Sequence, residues 1–309
     1  DLFITVHETF WTDSCMYADI ILPADTALER TDCHWAYGSW FLGINKPVIE
    51  PLGESINNTE LFRMLADKMG YVDSTDNAFT QTDEEIIKDI LLEAENEDGE
   101  RFNCLTEGID YDDVVKNGWA RASTGSKRRD FLKNGWPTPS GKIEIKCEAI
   151  TAEYPDVSPF PEYVPEINGQ YDPNKEKFPI QVLSSASHYF IGDSFQSVPR
   201  LQAMQSRPTV EISLGDAKAR GIEDGDLVRL YNDNGETYCY AVLIEGLLDG
   251  VCATQKQFKG SNTPGGLNVN NLNSEMLTDF GKSPTFYSVL VEIEKASEEM
   301  TKKAIKQGV

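Results

Sequence analysis

An α/β segment followed by a closed β-barrel is the architecture this sequence predicts, on three observations. The first 150 residues alternate short apolar runs with helix-period stretches. From Phe178 onward, six short strand patterns recur between turn residues, with little helix among them. Between the two, Pro155, Pro159, Pro161, Pro165, Pro173 and Pro179 punctuate a segment that cannot be regular structure and must run extended over a surface. The chain therefore divides into an α/β region over 1–150, a crossing over 151–177 and a barrel over 178–309.

Leu2–Val6 reads as a buried parallel strand and Ile20–Leu22 as a second, closed by Pro23. The polar stretch His7 to Asp19 between them lies at a strand's carboxyl end, where α/β sheets bind ligands. A buried strand this early, without an initiating Met, predicts that further sequence precedes it. A helix is expected over Thr59–Met69, capped by Asn58 and stopped by Gly70, with Leu61, Phe62, Leu65 and Met69 on one face. Thr82 and Glu85 have capping-box spacing and open another helix through Ile86, Ile87, Ile90 and Leu91. Asn96 to Asn134 is polar and weakly periodic, with Asp110, Asp112, Asp113 and the basic cluster Lys127, Arg128 and Arg129, and reads as a solvated excursion. Trp136 to Gly141 is a turn leading into a strand through Ile143, Glu144 and Ile145.

The barrel strands are expected at Phe178–Leu183, Thr209–Ser213, Leu227–Tyr231, Thr237–Ile244, Val251–Gln255 and Phe286–Ile293. Gly215 to Gly235 spells one unit: a short helix, a left-handed stop at Gly221, a turn at Asp224-Gly225-Asp226, a strand, and a reversal at Asn234-Gly235.

Twenty-eight Lys and Arg against 51 Asp and Glu give a net charge of −23, which opposes binding to nucleic acid or to an anionic membrane. No apolar run approaches the roughly 20 residues needed to span a bilayer, and the first residues lack the basic start of a secretory signal. The chain reads as soluble, cytoplasmic or periplasmic. Its six cysteines form no C-x-x-C pair, so neither an iron–sulfur cluster nor structural zinc is signalled, and most are expected to be buried thiols. His7, His34 and His188 have no metal-binding spacing; the expected role is a hydrogen-bonded structural one, with His7, beside Glu8 and Thr12, the exception that can reach a ligand. Asn232-Asp233-Asn234-Gly235 lacks the glutamate of a calcium loop and is explained by a hairpin.

Several blocks carry a resemblance: Thr12-Asp13-Ser14 followed by Ala18-Asp19-Ile20-Ile21-Leu22-Pro23 and Glu29; Pro51-Leu52-Gly53-Glu54-Ser55 before a helix; and Thr138-Pro139-Ser140-Gly141-Lys142-Ile143-Glu144. In the barrel region they continue with Leu183 to His188, Asp193-Ser194, Asn270-Asn271-Leu272, and Thr278-Asp279 through Phe286 and Tyr287. In this order they resemble the C-terminal part of the molybdopterin oxidoreductases, the dimethyl sulfoxide reductase family. The resemblance implies that the first region completes a Rossmann-like domain and that the barrel is a double-psi barrel holding a molybdenum bis(molybdopterin guanine dinucleotide) cofactor. It places cofactor contacts at His7, Glu8, Thr12, Asp13, Asp19, Ser184, Ser185, Ser187, Asp193, Ser194, Asn270 and Asp279.

Those residue types suit such a ligand. Hydroxyls and amides at strand ends hydrogen-bond to pterin edges and phosphates, and a carboxylate such as Asp13, Asp19 or Asp279 can accept from guanine N1–H and the exocyclic amine together. In a chain of −23, bound pyrophosphates require backbone N–H groups or local cations, of which Lys256, Lys259 and Arg200 are candidates. Two departures from the pattern stand out. Arg30, Thr31 and Asp32 occupy the place of a glycine and threonine, and Ala186 or a neighbour replaces an arginine in the first barrel turn.

The resemblance further implies that the metal ligand, and a 4Fe–4S cluster where one is present, belong to an amino-terminal half. That half and an iron–sulfur electron-transfer subunit are the expected partners. The parent enzyme would carry out two-electron chemistry of the oxygen-atom transfer or hydroxylation type, and this portion alone would be inactive. Two alternatives remain open: a cofactor-free scaffold subunit of a respiratory complex, and a non-redox hydratase or transhydroxylase on the same cofactor.

Overall fold

The computed structural model describes residues 2–71, 79–91, 109–121, 135–256 and 258–307. The chain forms two compact units, Asp1–Pro161 and Glu162–Val309.

In the first unit, β1 (Thr5–Glu8) and β2 (Ile20–Pro23) pair in parallel, Thr5 opposite Ile20. The strand starts later than the apolar run, and Leu2 and Phe3 are 80% and 68% exposed rather than buried. A 3-10 turn over Asp13–Tyr17 fills the connection. Three antiparallel strands not anticipated from the sequence follow: β3 (Asp32–Trp35), β4 (Phe41–Asn45) and, from far along the chain, β5 (Trp119–Arg121). Asp32-Cys33-His34-Trp35 lacks a clean two-residue alternation, and the pairing is made by tertiary context.

Helix α1 (Asn58–Met69) is capped one residue earlier than expected: Asn57 Oδ1 accepts from Glu60 N at 2.7 Å, and Asn58 is the first helical residue. Gly70 ends it at φ 76°. Helix α2 (Asp83–Leu91) opens on a reciprocal box, Thr82 N donating to Glu85 Oε2 (2.8 Å) and Glu85 N to Thr82 Oγ1 (3.2 Å).

The expectation of a solvated excursion fails over 109–121. Helix α3 (Tyr111–Asn117) is capped by Asp110 and ended by Gly118 at φ 77°, and its fully buried Val114 clusters with Leu42, Ile44, Ile87 and Ile109. Two apolar residues in an acidic stretch are enough to bury one face once a sheet receives them. Lys127, Arg128 and Arg129 lie outside the described residues.

The strand expected at Ile143–Ile145 is replaced by turns, with Ile143 and Ile145 66% and 70% exposed. Local side-chain bonds hold these turns: Thr138 Oγ1 donates to Lys142 O (2.7 Å), and Ser140 N donates to Glu144 Oε1 (2.8 Å). The proline-rich segment is not wholly irregular either. A helix over Glu148–Glu153 enters it, and Pro173 opens a 3-10 turn over Pro173–Glu176, where its missing N–H costs nothing.

The second unit is a closed six-stranded barrel, made of β6 (Ile180–Ser185), β7 (Thr209–Ser213), β8 (Leu227–Tyr231), β9 (Glu236–Ile244), β10 (Val251–Gln255) and β11 (Leu290–Lys295) in the order β10-β6-β11-β8-β9-β7. The β10–β6 and β7–β9 pairs are parallel and the others antiparallel. Alternate residues point inward: Ile180 and Val182, Val210 and Ile212, Val228 and Leu230, Cys239 and Ala241, Val291 and Ile293 are all buried in one core. The final strand begins at Leu290 rather than Phe286, because the exposed Phe286 and Tyr287 precede it.

Within the Gly215–Gly235 unit, a helix spans Leu214–Arg220, Gly221 stops it at φ 64°, and Gly225 turns the chain at φ 83°. Buried Asp216 accepts from Gly250 N (2.7 Å) and pairs with Arg220 (2.8 Å), tying this helix to the turn before β10.

Candidate functional site

Parallel pairing of β6 and β10 brings their carboxyl ends out at one end of the barrel. Ser184 continues the inward row of Ile180 and Val182, so a hydroxyl stands where the core would otherwise have an apolar side chain, and it is 9% exposed. Opposite it in the ladder is Thr254, and the ladder extends one step further, Lys256 N donating to Ser185 O at 2.8 Å.

A third segment reaches the same end. The 3-10 turn Val269–Leu272 anchors its ends by burying Val269 and Leu272 in the barrel core, and Asn268 caps it through Asn270 N (3.0 Å). This projects Asn270 outward between two buried residues. The β8–β9 hairpin holds the segment: Asn232 Nδ2 donates to Leu272 O (2.9 Å) and Leu290 O (3.1 Å), and Asn234 Nδ2 to Leu272 O (3.2 Å).

Ser184, Lys256 and Asn270 line one cavity of about 310 Å³ with Asn273, Phe286 and four further apolar residues. No carboxylate is among its described lining residues, in a chain with 51 Asp and Glu. One ammonium, one hydroxyl, two amides and an aromatic ring can receive an anionic ligand with a planar polar ring.

The other sequence-selected barrel residues have different surroundings. Ser185 donates to Thr254 O (3.3 Å), and Ser187 donates to Gln205 Oε1 (2.6 Å) while accepting from Tyr189 N (3.3 Å). Asp193 and Ser194 lie in an exposed turn, where Ser194 N donates to Ile191 O (3.0 Å). Asp279 is exposed and accepts from Phe280 N (3.0 Å). Of the candidate cations, Lys256 lines the cavity, and Lys259 Nζ donates to Ser197 Oγ (2.8 Å).

In the first unit, His7 and Asp19 are bonded to the scaffold, Glu8 ends β1 with a local contact, and Thr12 and Asp13 lie in the connection that follows. His7 Nε2 donates to Pro23 O (3.0 Å), and its Nδ1 lies 2.8 Å from the Asn58 side-chain amide. Glu8 accepts from Thr9 N (2.8 Å), Thr12 O accepts from Cys15 N (3.0 Å), and Asp19 Oδ2 accepts from Ile4 N (2.8 Å). Asp13 lies in the 3-10 turn beside Thr12.

Glu29 braces the loop before β3. Its carboxylate accepts from Thr26 N (2.6 Å) and Leu52 N (2.8 Å), and the Thr26 hydroxyl and these amides hold its pKa below the usual glutamate range. The atypical Arg30 bonds buried Asp25 at 2.7 Å and lies 3.4 Å from Asp32. The departure from the family pattern thus neutralises a carboxylate.

Among the described cysteines, Cys15, Cys239 and Cys252 are buried, Cys33 is half-buried and Cys147 is exposed, all of them free. Burial pushes the Cys239 thiol up to about 12 and raises that of Cys252, so neither supplies a thiolate. No group of three or more His, Cys, Asp or Glu is placed to hold a metal among the described residues.

Sequence reasoning missed Asn273 and Gln196. Gln196 is a buried side chain, 1% exposed, that hydrogen-bonds to main chain at both Nε2 and Oε1; one polar residue in a polar loop gives no periodic signal.

Residues 180–290 match the Molydopterin dinucleotide binding domain family and residues 1–68 the Molybdopterin oxidoreductase family. The chain is 34% identical over 296 residues to the probable oxidoreductase YoaE of Bacillus subtilis, covering 96% of this chain and 40% of that protein. It is 27% identical to the dimethyl sulfoxide reductase DmsA of Escherichia coli, covering 94% of this chain and 38% of the relative. The chain therefore spans about two fifths of the length of these relatives. Its fold is similar to that of acetylene hydratase from Pelobacter acetylenicus, with a TM-score of 0.72 at 17% identity, covering 95% of this chain and 40% of the hydratase.

Proposed function

This chain belongs to the molybdopterin oxidoreductase family, and from that premise we propose that its barrel, read as a double-psi barrel, holds the dinucleotide end of a molybdenum bis(pterin guanine dinucleotide) cofactor. The observation that carries this reading is the convergence of Ser184, Asn270 and Lys256 on one cavity free of carboxylates among its described lining residues. In a chain of net charge −23, a cavity lined by a lysine and by no carboxylate among its described residues is the local exception that an anionic ligand requires.

The fit is chemical. Lys256 would face a phosphate, Ser184 and the Asn270 and Asn273 amides would bond polar ring edges and ribose, and Phe286 offers a ring face. Ser184 and Lys256 sit at strand ends and Asn270 on a turn whose neighbours Val269 and Leu272 are buried in the core, so the backbone that carries these donors is fixed before the ligand arrives. When bound, the metal centre supplies two-electron redox chemistry, of the oxygen-atom transfer or hydroxylation type. The residues of this chain bind and orient. In this reading, the first unit completes a Rossmann-like domain, and the metal ligand belongs to polypeptide outside these 309 residues. An iron–sulfur electron-transfer subunit would be the redox partner.

The test is metal and pterin analysis of the purified polypeptide that carries this chain. Molybdenum with two pterins per polypeptide, and GMP released on acid hydrolysis, is the expected result. A folded protein with neither metal nor pterin would overturn the reading in favour of a scaffold subunit.

A further inference from the structure

Past the cavity, two loops run side by side at the same barrel end: residues 186–198 after β6 and 258–263 after β10. The side chain of Gln196, in the first, bridges to the second. Its Nε2 donates to Gly192 O (3.2 Å) in the first loop, and its Oε1 accepts from Lys259 N (2.8 Å) in the second. Around it, Phe190 and Phe258 meet edge to face at 6.1 Å, and buried Thr263 donates from Oγ1 to Lys259 O (2.7 Å).

The residue before Gln196 is strained. Phe195 adopts φ 71°, a left-handed conformation that a bulky side chain rarely takes, and it is 51% exposed, so burial of its own ring does not hold it there. Such strain persists only where the neighbours over-determine it. The neighbours here are the bonds of Gln196 to both loops and the bond from Val198 N to Phe195 O (3.0 Å).

Lys256 is held at its own N–H, which bonds Ser185 O, and, three residues on, Lys259 N is bonded to Gln196. We propose that Gln196 is the positioning residue of the cavity, holding Lys259 to the loop after β6 and so bearing on the place at which the Lys256 ammonium meets a phosphate. The inference rests on the nucleotide-binding reading above, and Gln196 acts through Lys256 rather than by touching ligand.

The test compares GDP with guanosine, which has the same base and ribose but no phosphate, titrated calorimetrically into the full chain and its Gln196→Met, Gln196→Asn and Lys256→Met variants. Gln196→Met keeps the volume and removes the side-chain hydrogen bonds, those to Gly192 O and from Lys259 N included; Gln196→Asn keeps the groups on a shorter stem and serves if the first variant does not fold. The expected result is a loss of about tenfold in GDP affinity for Gln196→Met, with guanosine affinity unchanged within about twofold and an intact thermal transition. A folded Gln196 variant that binds GDP like the parent, while Lys256→Met is weakened, overturns the positioning role alone. So does equal loss of GDP and guanosine. Failure of the parent to bind GDP, or indifference to Lys256→Met, overturns the underlying reading and the inference with it.

Discussion

Gly235 stands so close to the Asn271 carbonyl that a Cβ added to it would lie 2.5 Å from that oxygen. The hairpin between β8 and β9 is therefore packed directly against the turn that presents Asn270. Gly235 is outside the positive-φ residues of the chain, so it is required for space and not for backbone freedom. The reversal at Asn234-Gly235 is visible in the sequence, but the reason for its glycine is not, because the atom it avoids belongs to a segment distant along the chain.

Gly235→Ala should therefore destabilise the barrel by about 1–3 kcal/mol through overpacking and displace Asn270. Urea unfolding measures the first effect and nucleotide affinity the second. Both should exceed those of Gly221→Ala, whose added Cβ meets nothing within 4 Å and whose cost is the left-handed φ of 64° alone.

Arg30→Met should cost the first unit about 2 kcal/mol, because it leaves Asp25, 4% exposed, buried without its cation, while the partial exposure of Arg30 keeps the loss below that of a fully buried pair. The double variant Asp25→Asn/Arg30→Met should recover much of the loss. Denaturant midpoints with an unchanged slope check both.

Glu29 predicts an acid limb. Its folded pKa lies below the unfolded value, so its contribution is complete above the ordinary glutamate value and is lost as pH falls through the depressed folded value. Stability measured between neutral pH and about pH 3 should decline less steeply in Glu29→Gln than in the parent, although the variant is less stable at neutral pH.

Ser55 Oγ is buried with no hydrogen-bond partner among the described residues. Ser55→Ala should be neutral or stabilising by up to about 1 kcal/mol, since an unsatisfied hydroxyl is removed without a cavity of consequence. A thermal melt that falls by several degrees would show that the hydroxyl has a partner in solution.

The barrel is legible because its signals are local. Thr209–Ser213, Leu227–Tyr231 and Val251–Gln255 form strands over the residues their alternation marks, and Gly221 and Gly70 stop helices where their left-handed φ is needed. β3, β4, β5 and α3 are not legible, because Asp32-Cys33-His34-Trp35 and the acidic stretch around Val114 gain structure only from each other. The same division holds at the candidate site. Ser184 and Asn270 are found through the resemblance of their blocks to the family, whereas Gln196 and Asn273 contribute through partners or surfaces distant in sequence.

The central claim is that the barrel-end cavity receives a nucleotide phosphate at Lys256. Its most direct measurement is GDP binding to the chain and to Lys256→Met at low and at raised salt. Saturable binding that weakens with salt, and falls about tenfold or more in a folded Lys256→Met variant, is the predicted result. GDP affinity identical in parent and variant, or no binding by the folded parent, would contradict it.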